Sequence, residues 1–172
     1  MGKQRKTSRK AVRLDRIGWR EWLALPELGI DAIKAKIDTG ARSSVLHAYD
    51  VQPYRDGGVR RVRFKIHPYQ KNYRFSVAAS AEVIDRRWVR SSSGHRTYRP
   101  VIATPVHLGP LTWMVELTLT NRDEMGFRML LGRSALRRRF LIDPGQSYLH
   151  GRDLEHIQAL YIEPTDPPED ES

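Results

Sequence analysis

Residues 33–46 read IKAKIDTGARSSVL, and the fold turns on how this stretch is understood. Ile33, Ala35 and Ile37 alternate with Lys34 and Lys36, the period of a strand with one buried face. A strand therefore delivers Asp38 to its own end. After Gly40 the run SSVLHA resumes an extended pattern. An Asp-Thr-Gly tripeptide between two strands fits an ordinary turn, because Asp and Gly are favoured turn residues and Thr suits β structure. It also fits a loop that presents a catalytic carboxylate, but on the tripeptide alone the turn is the favoured reading.

A second stretch, MLLGRSALRRRFLIDPG at residues 129–145, supplies what the first lacks. Together they resemble the retropepsin-like aspartic proteases, in which D-[ST]-G-A ends a strand and a later apolar pair plus Gly-Arg runs into a short helix and a strand ending near Ile-Asp. Asp38, Thr39, Gly40 and Ala41 match the first motif, Leu130, Leu131, Gly132 and Arg133 the second, and Ile142 and Asp143 the last. The chain is most similar to a bacterial subgroup labelled "ATP-dependent zinc protease", through KIDTGARSS, VRSSSGHRTYRPVI, ELTLTNRDEMGFRMLLGR and IDP, over roughly residues 16–150. The resemblance implies a mostly β, closed retropepsin-like barrel with one short helix, active as a homodimer. It also implies an association with a ligase that adds glutamates to the C-terminus of a ribosomal protein.

Aspartic protease chemistry needs two carboxylates sharing one proton, since like charges about 3 Å apart cannot both ionise. Asp56-Gly57-Gly58 and Asp143-Pro144-Gly145 lack the Thr or Ser between acid and glycine, so each chain offers one suitable motif. Catalysis then requires Asp38 from each of two copies meeting on a two-fold axis. By resemblance Thr39 braces the two loops, Gly40 allows close approach, and Gly132 and Arg133 support the loop and the dimer. Ala41 offers no hydroxyl to an ionised carboxylate, so activity is expected at less acidic pH.

By the same resemblance a flap should cover the dyad, and counting back from LLGR places it at residues 88–99, with the tip Ser91-Ser92-Ser93-Gly94. The segment from about 51 to 86 is longer than a minimal retropepsin has before its flap. Arg42 follows the D-T-G-A loop, Arg90, Arg96 and Arg99 flank the tip, and Arg128 precedes the apolar pair. With Ser92, Ser93 and Gly94 they form the expected substrate-binding set, and planar guanidinium forks suit the carboxylates of an acidic or glutamylated peptide. The bland alternative for any one arginine is a solvated strand face.

The subgroup label can be checked against the residues. G-x-x-x-x-G-K-[ST] and H-E-x-x-H are both absent, and none of the six histidines forms an i, i+4 pair. No metal and no cofactor is therefore expected, and a zinc-dependent hydrolase ranks third. The second reading is a noncatalytic module that holds an acidic peptide or RNA.

Composition sets the frame. A chain of 172 residues suits one domain. Residues 1–13 read as a flexible basic arm, 14–162 as the peptidase domain and 163–172 as an acidic, proline-rich tail. The five cations of residues 1–10 cancel the five acids of residues 163–172, so residues 11–162 carry the whole net charge of +10. Such a charge attracts polyanions, including RNA or a ribosome. There is no cysteine, and no apolar run approaches a membrane span, which makes the cytoplasm the expected compartment.

Elsewhere RRVRFKIH and LTWMVELTL alternate as half-buried strands, while IGWREWLAL and NYRFSVAAS fit strands less cleanly. Asp56-Gly57-Gly58 and Ser93-Gly94 read as hairpin tips. Helix is expected at SALRRRF, residues 134–140, with Ser134 as N-cap, and at RDLEHIQAL, residues 152–160.

Overall fold

A computed structural model describes residues 13–69, 72–90, 93–121 and 126–150. The basic arm up to residue 12, Ser92, the expected helix at 152–160 and the acidic tail lie outside the described residues.

The strands are β1 (Asp15–Gly18), β2 (Arg20–Leu25), β3 (Ile30–Asp38), β4 (Ser44–His47), β5 (Tyr49–Asp56), β6 (Val59–Ile66), β7 (Val77–Glu82), β8 (Asp85–Arg90), β9 (Arg96–Leu108), β10 (Leu111–Thr120), β11 (Met129–Gly132) and β12 (Phe140–Asp143). A 3-10 turn spans Pro26–Leu28, and the helix α1 spans Arg133–Leu136. Strands β10, β4, β11, β3, β2 and β9 pair in that order, and β9 pairs back to β10. The sheet thereby closes into a six-stranded barrel, which leaves few raw edges to the solvent. β8 extends β9 as a hairpin, β5, β6 and β7 form a separate three-stranded sheet, and β1 lies parallel to β12. The closed, mostly β barrel expected from the sequence is present.

Alternation in the sequence becomes the inside and outside of the barrel. Ile33, Ala35 and Ile37 of β3 are buried, as are Val115, Leu117 and Leu119 of β10. Each buried Ile, Val or Leu among them contributes about 1.5–3 kcal/mol relative to exposure, and Ala35 less. Val62, Phe64 and Ile66 of β6 join the same core, so the sheet of β5, β6 and β7 is a second layer packed on the barrel. Its Gly57 and Gly58 have φ of 55° and 82°, the geometry of a two-residue hairpin in which both central residues are left-handed.

Three local readings shift. The run IGWREWLAL breaks between Gly18 and Arg20, because Trp19 leaves the ladder to donate its N–H to Gln146 while its carbonyl accepts from Ile37. NYRFSVAAS becomes strand only at Val77; Asn72 Oδ1 accepts from the N–H groups of Arg74 and Phe75 and holds a turn there. The helix expected at 134–140 covers Arg133–Leu136, with Gly132 and not Ser134 at the N-cap. The N–H groups of Arg133 and Ser134 are taken by the carbonyls of Ala41 and Arg42, and Arg138 at φ 63° ends the turn before β12. Among the described residues no helix is long and apolar enough to cross a membrane.

Candidate active site

Asp38 ends β3 and pairs in register with Gly132 at the end of the parallel strand β11. The Asp-Thr-Gly-Ala and Leu-Leu-Gly-Arg motifs, about ninety residues apart in sequence, thus meet side by side. Local periodicity cannot show a parallel pairing of this kind, since the partner strand is distant along the chain.

The loop after Asp38 folds back on the carboxylate. Oδ1 accepts the N–H of Gly40 at 3.0 Å and of Ala41 at 3.2 Å, and the Asp38 carbonyl also accepts from Ala41 at 3.3 Å. Among the described residues no protein group donates to Oδ2, so one oxygen is tied to the loop and the other is left for chemistry. Arg133 clamps the loop from outside: its Nη1 donates to the carbonyls of Thr39 at 2.9 Å and Gly40 at 3.0 Å. Ser44, buried at the start of β4, accepts the Gly132 N–H on its Oγ at 3.0 Å. A Cβ on Gly132 would lie 2.5 Å from the Ser43 carbonyl oxygen and 2.9 Å from that of Ala41, which only a glycine avoids. Asp38 is half-buried, and Thr39 and Gly40 are exposed at the tip.

Two grooves flank this loop. One, of about 630 Å3, runs between the loop, β10 and the β8–β9 hairpin and is lined by Arg42, Ser43, Arg87, Trp88, Arg90, Met114 and Glu116 among others. Arg87 is occupied, bonded to Asp85 at 2.7 Å and Glu116 at 2.9 Å, which raises its pKa above the ordinary value. Among the described residues Arg42 and Arg90 form no ion pair. The other groove, of about 310 Å3, holds Asp38 itself with Lys36, Gly126, Phe127 and Leu130.

The expected substrate-binding residues are therefore divided. Arg42 and Arg90 share the larger groove. Ser93 and Gly94 lie exposed at the tip of the β8–β9 hairpin, and Arg96 sits over the Trp88 ring at 5.6 Å from its centroid. Arg99 is buried and donates to Thr97 Oγ1, and Arg128 is buried with its guanidinium over Tyr73 at 5.1 Å; neither lines the two grooves. Lys36 and Phe127 were not anticipated, and Leu130 was expected only as part of its motif and not as a wall of the groove. The signal for Lys36 was available, since a residue two before Asp38 on a strand shares its face. Among the described residues no group of three or more His, Asp or Glu side chains is placed to hold a metal ion.

Comparison with known proteins follows this geometry. Residues 16–153 match the RimB-like family model, described as "Retropepsin-like aspartic endopeptidase RimB". A Shewanella pealeana protein named "Probable alpha-L-glutamate ligase" is 46% identical over 147 residues, covering 84% of this chain and 32% of that protein. Proteins of the same name from Desulfotalea psychrophila and Parasynechococcus marenigrum are 48% and 43% identical, over 28% and 31% of their lengths. The chain thus spans about a third of the length of the curated relatives it matches. A crystal structure of a Legionella pneumophila protein of unknown function superposes with a TM-score of 0.65 at 24% identity, over 78% of this chain and 97% of that one, a likeness of fold.

Proposed function

We propose that this chain, which belongs to the RimB-like family of retropepsin-like aspartic endopeptidases, hydrolyses acidic peptides with a dyad made of Asp38 from each of two protomers. The observation that carries the reading is the Asp38 loop, whose carboxylate is fixed by two backbone N–H groups and whose backbone is clamped by Arg133.

With one such loop per chain, the two-fold axis supplies the second carboxylate. The pair shares one proton. The ionised Asp38 takes a proton from the attacking water as its oxygen bonds to the scissile carbonyl carbon, and the protonated Asp38 gives its proton to the carbonyl oxygen. Collapse of the tetrahedral intermediate then breaks the C–N bond, as the Asp38 that took the water proton gives it to the leaving nitrogen and the other Asp38 recovers a proton from a hydroxyl of the intermediate. The β8–β9 hairpin serves as the flap, and its groove with Arg42 and Arg90 receives acidic side chains.

The names of the ligase relatives support an oligoglutamate substrate, because the glutamylated chain that a ligase makes is the chain such a peptidase would cleave, and the sequence resemblance points to the C-terminus of a ribosomal protein in the cytoplasm. The same names favour a second reading, a noncatalytic module that holds the acidic chain for a ligase. Mass spectrometry of a glutamate-tailed peptide incubated with wild type and with Asp38→Asn separates them. Cleavage by the wild type alone, without nucleotide and with a chelator present, is the expected result. Equal products from the variant would remove the aspartic mechanism, and an inert wild type would favour the holding module.

A further inference from the structure

The smaller groove contains a cation that the fold sets beside the catalytic acid. In the register of β2, β3 and β11, Arg20, Lys36 and Leu130 are cross-strand neighbours, and Asp38 with Gly132 forms the row two residues further along. Side chains two apart on a strand share a face, roughly 6–7 Å from each other. Lys36 and Asp38 therefore project to the same side, outward from the barrel, while Ala35 and Ile37 between and beside them are buried.

The walls of this groove differ in character. Phe127 and Leu130 are apolar, and Phe127 is held edge-on by Trp19 at a centroid distance of 5.9 Å. Lys36 is the cation among the lining residues. Its neighbour in the row, Arg20, is already engaged: Nε donates to Ser147 Oγ at 3.1 Å, and the guanidinium lies 4.6 Å and 5.0 Å from the Trp19 and Tyr148 ring centroids. Among the described residues Lys36 makes no ion pair and no hydrogen bond through its ammonium. It is exposed, and its charge is available to a ligand.

We propose that Lys36 is a specificity-determining residue whose ammonium takes the carboxylate of the substrate side chain seated beside Asp38, while Phe127 and Leu130 cover that side chain's methylenes. The inference rests on the peptidase reading and deepens it, since it names the side chain next to the scissile bond as glutamate. An acid brought beside a dyad that carries negative charge is repelled, and a cation on the same wall offsets that repulsion. Aspartate, with one methylene fewer, reaches less far along the apolar wall. The arginines of the larger groove read residues further along the peptide.

The test uses two peptides that differ only in Glu or Gln beside the bond that mass spectrometry identifies as cleaved. Wild type should favour Glu by about tenfold in kcat/KM, equivalent to about 1.4 kcal/mol. Lys36→Gln should bring the ratio close to one, and Lys36→Glu should invert it and favour a peptide with Lys at that position. Thermal unfolding of both variants should match wild type, because the side chain is exposed. A Glu-to-Gln ratio that neither variant alters would overturn the assignment. A binding arm makes the outcome independent of catalysis: labelled Glu and Gln peptides are titrated by anisotropy into Asp38→Asn and into Asp38→Asn/Lys36→Gln. The single variant should prefer the Glu peptide and the double variant should not, and equal preference in both excludes Lys36. Should Asp38→Asn itself cleave, the dyad reading fails, and the anisotropy comparison still decides the role of Lys36.

Discussion

Gly132→Ala should damage both stability and activity, for a reason that can be worked from contacts. The added methyl group would stand 2.5 Å from the Ser43 carbonyl oxygen, 2.6 Å from its carbon and 2.9 Å from the Ala41 oxygen. Ordinary contact begins at 3.4 Å, so the backbone must part by roughly 0.9 Å, and all three atoms belong to main chain that cannot rotate away. The strand end is pinned by the bonds from Gly132 N–H to Ser44 Oγ and from Arg133 N–H to the Ala41 carbonyl. Overpacking costs about 1–3 kcal/mol and a weakened buried hydrogen bond about 0.5–1.5 kcal/mol, together about 2–4 kcal/mol. At about 2–4 °C per kcal/mol for a chain of this size, Tm should fall by about 5–15 °C. Because Asp38 pairs with Gly132, a displacement near 1 Å should also cost about a hundredfold in kcat. Gly145→Ala is the control, since its Cβ would meet Asp143 Oδ1 at an ordinary 3.5 Å. Calorimetry and peptide turnover read both effects. A Gly132→Ala protein whose Tm and kcat both equal those of Gly145→Ala would refute the close-approach argument.

Three further outcomes are expected. Glu21 is fully buried and accepts N–H bonds from Gly18, Leu149 and His150, so Glu21→Gln, which turns an acceptor into a donor facing an N–H, should cost about 1–3 kcal/mol in urea unfolding. The Asp85 carboxyl lies below its ordinary value of 3.8, first because Arg87 donates to it and then because the Arg86 N–H does. Its contribution to stability is therefore complete above pH 3.8 and lost as the pH falls through the lower folded value, and Arg87→Met should move its carbon NMR titration midpoint upward. One carboxylate per chain makes turnover rise faster than linearly with enzyme concentration near the dimer dissociation constant, and a monomer fully active in sedimentation-matched assays would overturn the shared dyad.

The parts of the fold that could be read in advance were those whose signal is local. β6 and β10 follow from strict alternation, the Asp56–Val59 hairpin from its two glycines, and the Asp38 loop from its motif. What could not be read depends on partners far along the chain. The N-cap of α1 moved from Ser134 to Gly132 because Ala41 and Arg42 supply carbonyls to its first turn, and Trp19 left its strand because Gln146 and Ile37 compete for its backbone. Arginine identity could not tell Arg42, in a groove, from Arg128, buried under Tyr73, since both follow apolar or loop residues in ways that periodicity treats alike. Lys36 reads as one more solvated position of an alternating strand until the sheet places Leu130 and Phe127 around it.

The parallel pairing of β1 with β12, from Asp15 opposite Phe140 to Gly18 opposite Asp143, sets the opening and closing strands of the fold shoulder to shoulder. The chain runs on past β12 until His150 Nε2 lies 3.0 Å from the Arg16 carbonyl, and a unit whose described ends come this close can be spliced into a longer polypeptide with little loop-closure entropy. Relatives in which a segment like this one makes up about a third of the length fit such a geometry, which lets the barrel stand as a cassette within a longer chain.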